Sequence, residues 1–393
     1  LSHINQHEMG QMMQVLGEAV DGQRVVKVYG GQEFEQSRFM RAAHGLRRNL
    51  VKQVSASSMN TGVTQLIVSV ALAVIIYSAG LRAAEGSFSA GDFMSYLTAM
   101  IMLFTPVKRI TTVTQILQRG LAAAESVFTL LDSPEETNQG RQTLTRARGE
   151  LRFEQVGFRY PQGEREALEH ITLHIRPGET VALVGSSGSG KTTLLKMMLG
   201  FYAPVEGDVL LGGRRLSAFS PNCWRQECGT VMQESFVFSD TIANNIAVSD
   251  EIPDMKRIRR AVEIANIGEF IESLPLGYNT RIGADGHGLS TGQKQRLLIA
   301  RAAYKDSKYL FFDEATNSLD ANNERTIMER LEKLFKGKTV VIVAHRLSTV
   351  RNADNIIVLA HGRIVEQGTH EELTAKKGYY YELVQLQTGE DLV

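Results

Sequence analysis

Apolar residues fall along this chain in two rhythms, and the change of rhythm divides it. Up to about residue 60 they are scattered at helical spacing among Gln, Glu, Arg and Lys: Val15, Ala19, Val25, Val26, Val28, Tyr29 and Phe34. Gly22 and the pair Gly30-Gly31 punctuate that stretch and predict helix breaks. From Gln53 to Leu81 no residue is charged, and Leu66 to Ala79 is almost wholly apolar. A bilayer-spanning helix needs about 20 such residues, so a first span is expected over about 59–80. A second apolar run, Phe93 to Phe104, is bounded by Asp92 and Lys108 and predicts a second span over about 92–107. It is short for a span, and a buried soluble helix is the competing reading.

Charge asymmetry favours the membrane. Arg38, Arg41, Arg47, Arg48 and Lys52 precede the first run, and Lys108, Arg109 and Arg119 follow the second. The loop between them carries a single Arg, Arg82. The positive-inside rule puts both outer flanks in the cytoplasm. Pro106 sits near the inner end, where a kink is tolerable, and Thr111 to Leu131 continues as a cytoplasmic helix. Residues 1–131 thus read as a partial α-helical membrane domain. Residues 132–149, broken by Pro134 and Gly140, read as a linker. The chain opens at Leu1 in mid-helix style and is expected to be a piece of a longer one.

From about residue 150 the rhythm becomes that of an α/β domain. Strands are expected at Leu151–Phe153, Val156–Tyr160, Val181–Val184, Val209–Leu211, Gly229–Met232, Tyr309–Phe312, Thr339–Val343 and Asn355–Leu359. Residues 241–306 are mainly helical and form a helical subdomain. Composition adds two exclusions. With 43 basic and 43 acidic residues the net charge is zero, so nothing argues for a nucleic-acid partner. Cys223 and Cys228 have neither further Cys nor paired His nearby, which fits neither a zinc site nor a disulfide framework.

The chemistry concentrates in one stretch. After the apolar strand Val181–Val184 come Gly185, Ser186, Ser187, Gly188, Ser189, Gly190, Lys191, Thr192 and Thr193, followed by helical spacing of Leu194, Leu195, Met197, Met198 and Leu199. Strand, glycine loop and helix give G-x-x-x-x-G-K-[ST] its meaning as a phosphate-binding loop. The loop N–H groups and the helix N-terminus favour an anion. Lys191 is expected to reach the β/γ-phosphates and the Thr192 hydroxyl to sit on Mg²⁺. A second apolar strand ends in Asp313-Glu314. Asp313 suits the role of holding Mg²⁺ through water, and Glu314 that of the general base that polarises the attacking water. A third feature, Leu289-Ser-Thr-Gly-Gln293, opens a helical run. Ser290 is a natural N-cap there, Gly292 permits close backbone approach, and the helix start with Gln293 can face a phosphate.

The order P-loop, Gln233, Leu289–Gln293, Asp313-Glu314, Ser318-Leu-Asp320 and His345 resembles the ATP-binding cassette family. With the two apolar runs upstream, the chain resembles an ABC exporter half-transporter. That implies a type I transmembrane domain, here partial, fused ahead of an α/β P-loop cassette that spans 150–393 with a helical subdomain. The resemblance implies ATP and Mg²⁺ as ligands, and assigns Tyr160 to stacking on adenine. It puts Gln233 on Mg²⁺ beside Thr192 and Asp313, His345 at the γ-phosphate and Asp320 at the partner's P-loop. Ser290, Gly292 and Gln293 would face the ATP of a second subunit, so the partner is a second copy or a related half-transporter.

It also implies an inner-membrane, multi-pass location with the cassette in the cytoplasm. The region up to the P-loop is similar to lipid A exporters, so the expected cargo is a lipid or other amphipath. The region after it is similar to peptide exporters that carry a peptidase domain, which leaves a peptide or drug exporter as the alternative. One departure is Ala284 in Thr280-Arg-Ile-Gly-Ala-Asp-Gly286, where such exporters often carry a Glu thought to touch the coupling loops. A soluble, non-transporting ABC ATPase is the rival from another class. A non-catalytic regulator is disfavoured by Glu314 and His345.

Overall fold

The computed structural model describes the chain apart from residues 1, 85–88, 134–135, 137–148, 162, 164, 234–235, 249, 284–287, 316–320, 345–349 and 389–393. Some helical side chains, among them those of 103–112 and 321–324, are also outside the description. Two compact units result, Leu1–Glu135 and Glu136–Val393.

The first unit is helical: α1 (Ser2–Asp21), α2 (Gln23–Val28), α3 (Gln32–Ala84) and α4 (Ala90–Leu131). The expected glycine breaks are where the helices part. Gly22 precedes α2, and Gly30 takes a φ of +67° in the turn before α3. Ser89 caps α4 in a reciprocal capping box with Asp92. Polar pairs join α1 to α3: Asn5 to Gln53 at 2.5 Å and Glu18 to Arg38 at 2.7 Å. The unit has almost no core of its own, and Leu46 is its one buried side chain among the described residues. Within α3, Gln65–Arg82 has a mean hydropathy of 1.8 and none of it is buried. It is the one stretch among the described residues that is long and apolar enough to cross a bilayer. An uncovered apolar helix of this length is unfavourable in water and favourable in lipid. The second expected span falls inside α4, largely where side chains are outside the description.

The second unit is layered around a six-stranded sheet of order β12-β11-β3-β10-β9-β6. Its strands are β3 (Thr180–Val184), β6 (Cys228–Val231), β9 (Tyr309–Asp313), β10 (Thr339–Val343), β11 (Asn355–Ala360) and β12 (Arg363–Gly368). All neighbours are parallel except β11 and β12. Alternate residues of the central strands feed opposite cores, as strand geometry requires. Ala182, Leu310, Phe312, Val340, Ile342 and Ile356 lie in one core. Val181, Leu183, Phe311, Val341, Val343 and Ile357 lie in the other. Burial on both faces is why these strands read as unbroken apolar runs.

Helix α5 (Lys191–Met198) covers the second face together with an antiparallel sheet. That sheet is ordered β2-β1-β4-β5, from β1 (Leu151–Phe158), β2 (Leu168–Ile175), β4 (Glu206–Leu211) and β5 (Arg214–Arg215). The two strands expected between 151 and 160 are one bulged strand: Gln155 takes a φ of +50° and the register to β2 shifts there. Short α6 (Pro221–Gln226) leads into β6 and packs Trp224 in the same core as α5. The helical subdomain holds the ribbon of β7 (Asp240–Thr241) with β8 (Arg281–Ile282), α7 (Ile242–Ile246), α8 (Met255–Ile264), α9 (Gly268–Ser273) and α10 (Thr291–Lys305). Helices α11 (Ala321–Phe335), α12 (His370–Lys376) and α13 (Tyr379–Thr388) complete the unit.

Candidate nucleotide site

Parallel strands deliver their C-terminal ends to one edge of the sheet, where open α/β sheets bind ligands. Three described strands end there beside a candidate residue. β3 runs into the phosphate loop, β9 into Asp313-Glu314, and β6 stops two residues before Gln233. Register fixes their level: Val343 pairs with both Leu183 and Asp313, and Val231 pairs with Phe312.

Backbone conformation shapes the loop. Gly185 has a φ of +152°, and a Cβ there would lie 2.2 Å from the Leu359 carbonyl oxygen. Gly190, the residue before α5, has a φ of +104°, and a Cβ there would lie 2.9 Å from the Ala167 carbonyl oxygen. Neither site accepts a side chain without backbone movement. Lys191 is buried at the start of α5, and its Nζ donates to the carbonyls of Gly185 at 2.9 Å and Ser186 at 2.8 Å. Burial pulls its pKa below the usual lysine range, opposed by the carboxylates of Glu314 and Asp313.

Asp313 is 1% exposed, and neither of its carboxylate oxygens has a hydrogen-bond partner among the described residues. Burial raises its pKa; the Thr192 hydroxyl opposes the shift without a bond of normal geometry. A buried, unpaired carboxylate is costly. Its cost is offset where a cation or its waters supply the missing partners, so the donor set of Asp313, Thr192 and Gln233 fits Mg²⁺. Glu314 follows with a φ of +52°, a conformation uncommon for a side chain of this type. Its N–H donates to the Val343 carbonyl at 3.1 Å, and its own carbonyl accepts from Gln295 Nε2 at 2.9 Å. This reversal ends the strand and presents the Glu314 carboxylate to the cleft.

One cleft of about 860 Å³ takes in Tyr160, Ser187, Gly188, Ser189, Gly190, Lys191, Thr192, Thr193, Gln233 and Glu314. Tyr160 lies past the end of β1, its hydroxyl 3.0 Å from that of Thr193. Its ring meets Phe158 and Tyr202 edge-on, at 5.0 and 5.4 Å between centroids. Gly185 and Ser186 shape the loop beneath Lys191. The cleft has a wall that sequence reasoning missed, made by Ala167, Glu169, His361 and Gly362. Its anchors are backbone bonds: the Gly362 N–H donates to the Ser189 carbonyl at 3.1 Å, and the Glu169 N–H to the Gly362 carbonyl at 2.8 Å. The one available signal was the pair His361-Gly362, a tight turn after the apolar strand β11, with φ of +49° and +77°.

Two groups of relatives bear on this geometry. Residues 168–317 match the ABC transporter family, and residues 1–107 match the ABC transporter transmembrane region. The ATP-dependent lipid A-core flippase of Chromobacterium violaceum is 51% identical over 390 residues, covering 99% of this chain and 67% of its own length. The protein of that name from Ralstonia nicotianae is 44% identical over 391 residues, covering 98% and 66%. The chain belongs to the ABC transporter family.

In fold this ABC transporter chain is similar to a bacterial Atm1-family ABC exporter solved with ATP bound. The TM-score is 0.86 at 32% identity, over all of this chain and 70% of the other. The ABC chain spans about two thirds of the length of the curated relatives it matches. Its match to the transmembrane region sets aside the soluble, non-transporting alternative.

The ABC signature stretch does not join the cleft of its own chain. Ser290 caps α10, accepting from the Gln293 N–H at 3.2 Å, while Gln293 Oε1 accepts from the Ser290 N–H at 2.9 Å. Ser290, Gly292 and Gln293 are absent from the cleft lining. Asp320, His345 and the departure at Ala284 lie outside the described residues.

Proposed function

We propose that this chain is the cassette-bearing part of an inner-membrane, multi-pass ABC exporter that binds and hydrolyses MgATP to move a lipid A-like amphipath. The observation that carries the reading is the convergence of Lys191, Thr192, Gln233 and Glu314 on one cleft above the buried, unpaired Asp313. The names of the relatives, ATP-dependent lipid A-core flippases at 44–51% identity, supply the substrate class.

In this reading the loop N–H groups from Gly185 to Thr193 and the Lys191 ammonium hold the phosphates, and Tyr160 stacks on the adenine. Thr192, Asp313 and Gln233 hold Mg²⁺, which neutralises charge on the β- and γ-phosphates. Glu314 accepts the proton of the attacking water, and His345 contacts the γ-phosphate. Lys191, which donates to the Gly185 and Ser186 carbonyls, turns from them toward the phosphates when they arrive. Ser290, Gly292 and Gln293 serve the ATP held by a second copy, and Asp320 meets that copy's P-loop. Hydrolysis in a closed dimer then resets the membrane domains.

The test is MgATPase activity of the chain in lipid nanodiscs, with and without a lipid A-core glycolipid. The expected result is basal activity raised by the glycolipid and not by phosphatidylglycerol. Absence of MgATP binding would overturn the reading of the cleft. Binding and hydrolysis indifferent to every lipid would overturn the substrate.

A further inference from the structure

Among the described residues, one side chain ties the segment after Gln233 to the helix that carries the signature. Arg301 lies three turns into α10. Its Nε donates to the Asn245 carbonyl at 2.8 Å, Nη1 to the Phe236 carbonyl at 3.1 Å, and Nη2 to Asn245 Oδ1 at 3.3 Å. The guanidinium carbon also lies 5.8 Å from the centre of the Phe238 ring. The receiving segment is internally bonded. Asn245 is 1% exposed, its Oδ1 accepts from the Phe238 N–H at 2.9 Å, and its Nδ2 donates to the carbonyls of Phe238 and Thr241, each at 3.0 Å. Phe236 stands three residues after Gln233, which lines the cleft. At its other end α10 is tied to the catalytic strand, because Gln295 Nε2 donates to the Glu314 carbonyl.

We propose that Arg301 is a positioning residue: it makes the segment after Gln233 and the signature helix move as one body, so that nucleotide in the cleft sets the attitude of Ser290–Gln293. Geometry explains why an Arg does this. The planar fork spans two carbonyls and an amide oxygen at once, whereas a Lys ammonium is a single point and cannot reach all three. Packing alone would leave the helix free to slide. Three directional bonds to a segment that is itself internally bonded do not. The role rests on the reading of the cleft as an MgATP site.

The experiment is amide hydrogen exchange on the whole chain in nanodiscs, at a concentration too low for association, with and without MgATP. The wild type is expected to slow at residues 185–193 and to change at the start of α10. In Arg301→Gln the P-loop response is expected to persist and the α10 response to disappear. In steady state kcat is expected to fall about tenfold, with the Kd for MgATP within about twofold of wild type. A purely structural Arg would instead speed exchange throughout the subdomain and leave the α10 response proportionate.

Arg301→Lys is the second variant. It keeps the buried charge and is expected to restore thermal stability without restoring the α10 response. An α10 response retained in either folded variant overturns the proposal, and so does failure of both variants to fold. No P-loop response in the wild type would overturn the cleft reading first, and is separately visible.

Discussion

The hydroxyls of Tyr160 and Thr193 stand 3.0 Å apart, so the ring expected to carry adenine is tied to the first turn of the P-loop helix. Two contributions can be separated by substitution. Tyr160→Ala removes both the ring and the bond, and base stacking on an aromatic is worth ~1–3 kcal/mol. Tyr160→Phe keeps the ring against Phe158 and Tyr202 and removes only the bond, worth about 0.5–1.5 kcal/mol. Calorimetric Kd values for ATP should therefore rise in the order wild type, Phe, Ala. An unchanged Kd in the Ala variant would make Tyr160 a packing residue only.

Asp313 makes the empty cassette less stable than it could be. Its pKa is raised by burial above the ordinary 3.8. A raised acid pKa means the folded state binds the extra proton. Stability from this group is therefore greatest below the ordinary value and declines as pH rises through the raised one. At neutral pH the charged form costs the nucleotide-free fold about 1–3 kcal/mol. Asp313→Asn should raise the nucleotide-free melting temperature by a few degrees and abolish the further rise on adding MgATP. A lower melting point in the variant without nucleotide would show that the carboxylate is satisfied after all.

Glu314→Gln should separate binding from hydrolysis. The amide keeps the size and the left-handed backbone of Glu314 but cannot take a proton, while the Lys191 and loop contacts remain. ATP affinity should be close to wild type, turnover should fall by roughly two to four orders of magnitude, and gel filtration with ATP should show a persistent dimer. Turnover near that of wild type in a coupled assay would remove Glu314 from the role of base.

The signature cap supplies a fourth expectation. Ser290, Gly292 and Gln293 are outside the cleft of their own chain, so a complete site needs a second copy. Specific ATPase activity should rise with protein concentration and then saturate, by mass action. Activity strictly independent of concentration over two decades would argue that one chain is sufficient.

Much of this is legible in the sequence. Gly185 to Thr193 is a local motif whose meaning depends on a strand before it and a helix after it, and both leave plain apolar patterns. Strands β9, β10 and β11 were equally readable, because burial on both faces confines polar residues to their ends. The wall of Ala167, His361 and Gly362 was not, since it is held by backbone hydrogen bonds between segments almost 200 residues apart, which side-chain patterns do not encode. β2 alternates apolar and polar residues from Ile171 to Ile175, but Glu169 and His170, two polar residues in a row, put Leu168 out of phase with it. The Arg301 clamp was hidden for the same reason as the wall: two of its three bonds go to main-chain carbonyls.

The order of the central sheet has a consequence for the chain as it is made. β3 lies between β11 and β10, both of which are synthesised long after it. At ~5–20 residues per second, a ribosome needs roughly 10–30 s to produce them once β3 has emerged. Throughout that interval Val181 to Val184 has no neighbour on either edge, and unpaired apolar edges are what chains aggregate through. The loop that follows β3 is thus completed by strands made much later in the chain. Slowing elongation while residues 185–339 are made should lower the yield of folded protein more than the same delay placed after residue 368.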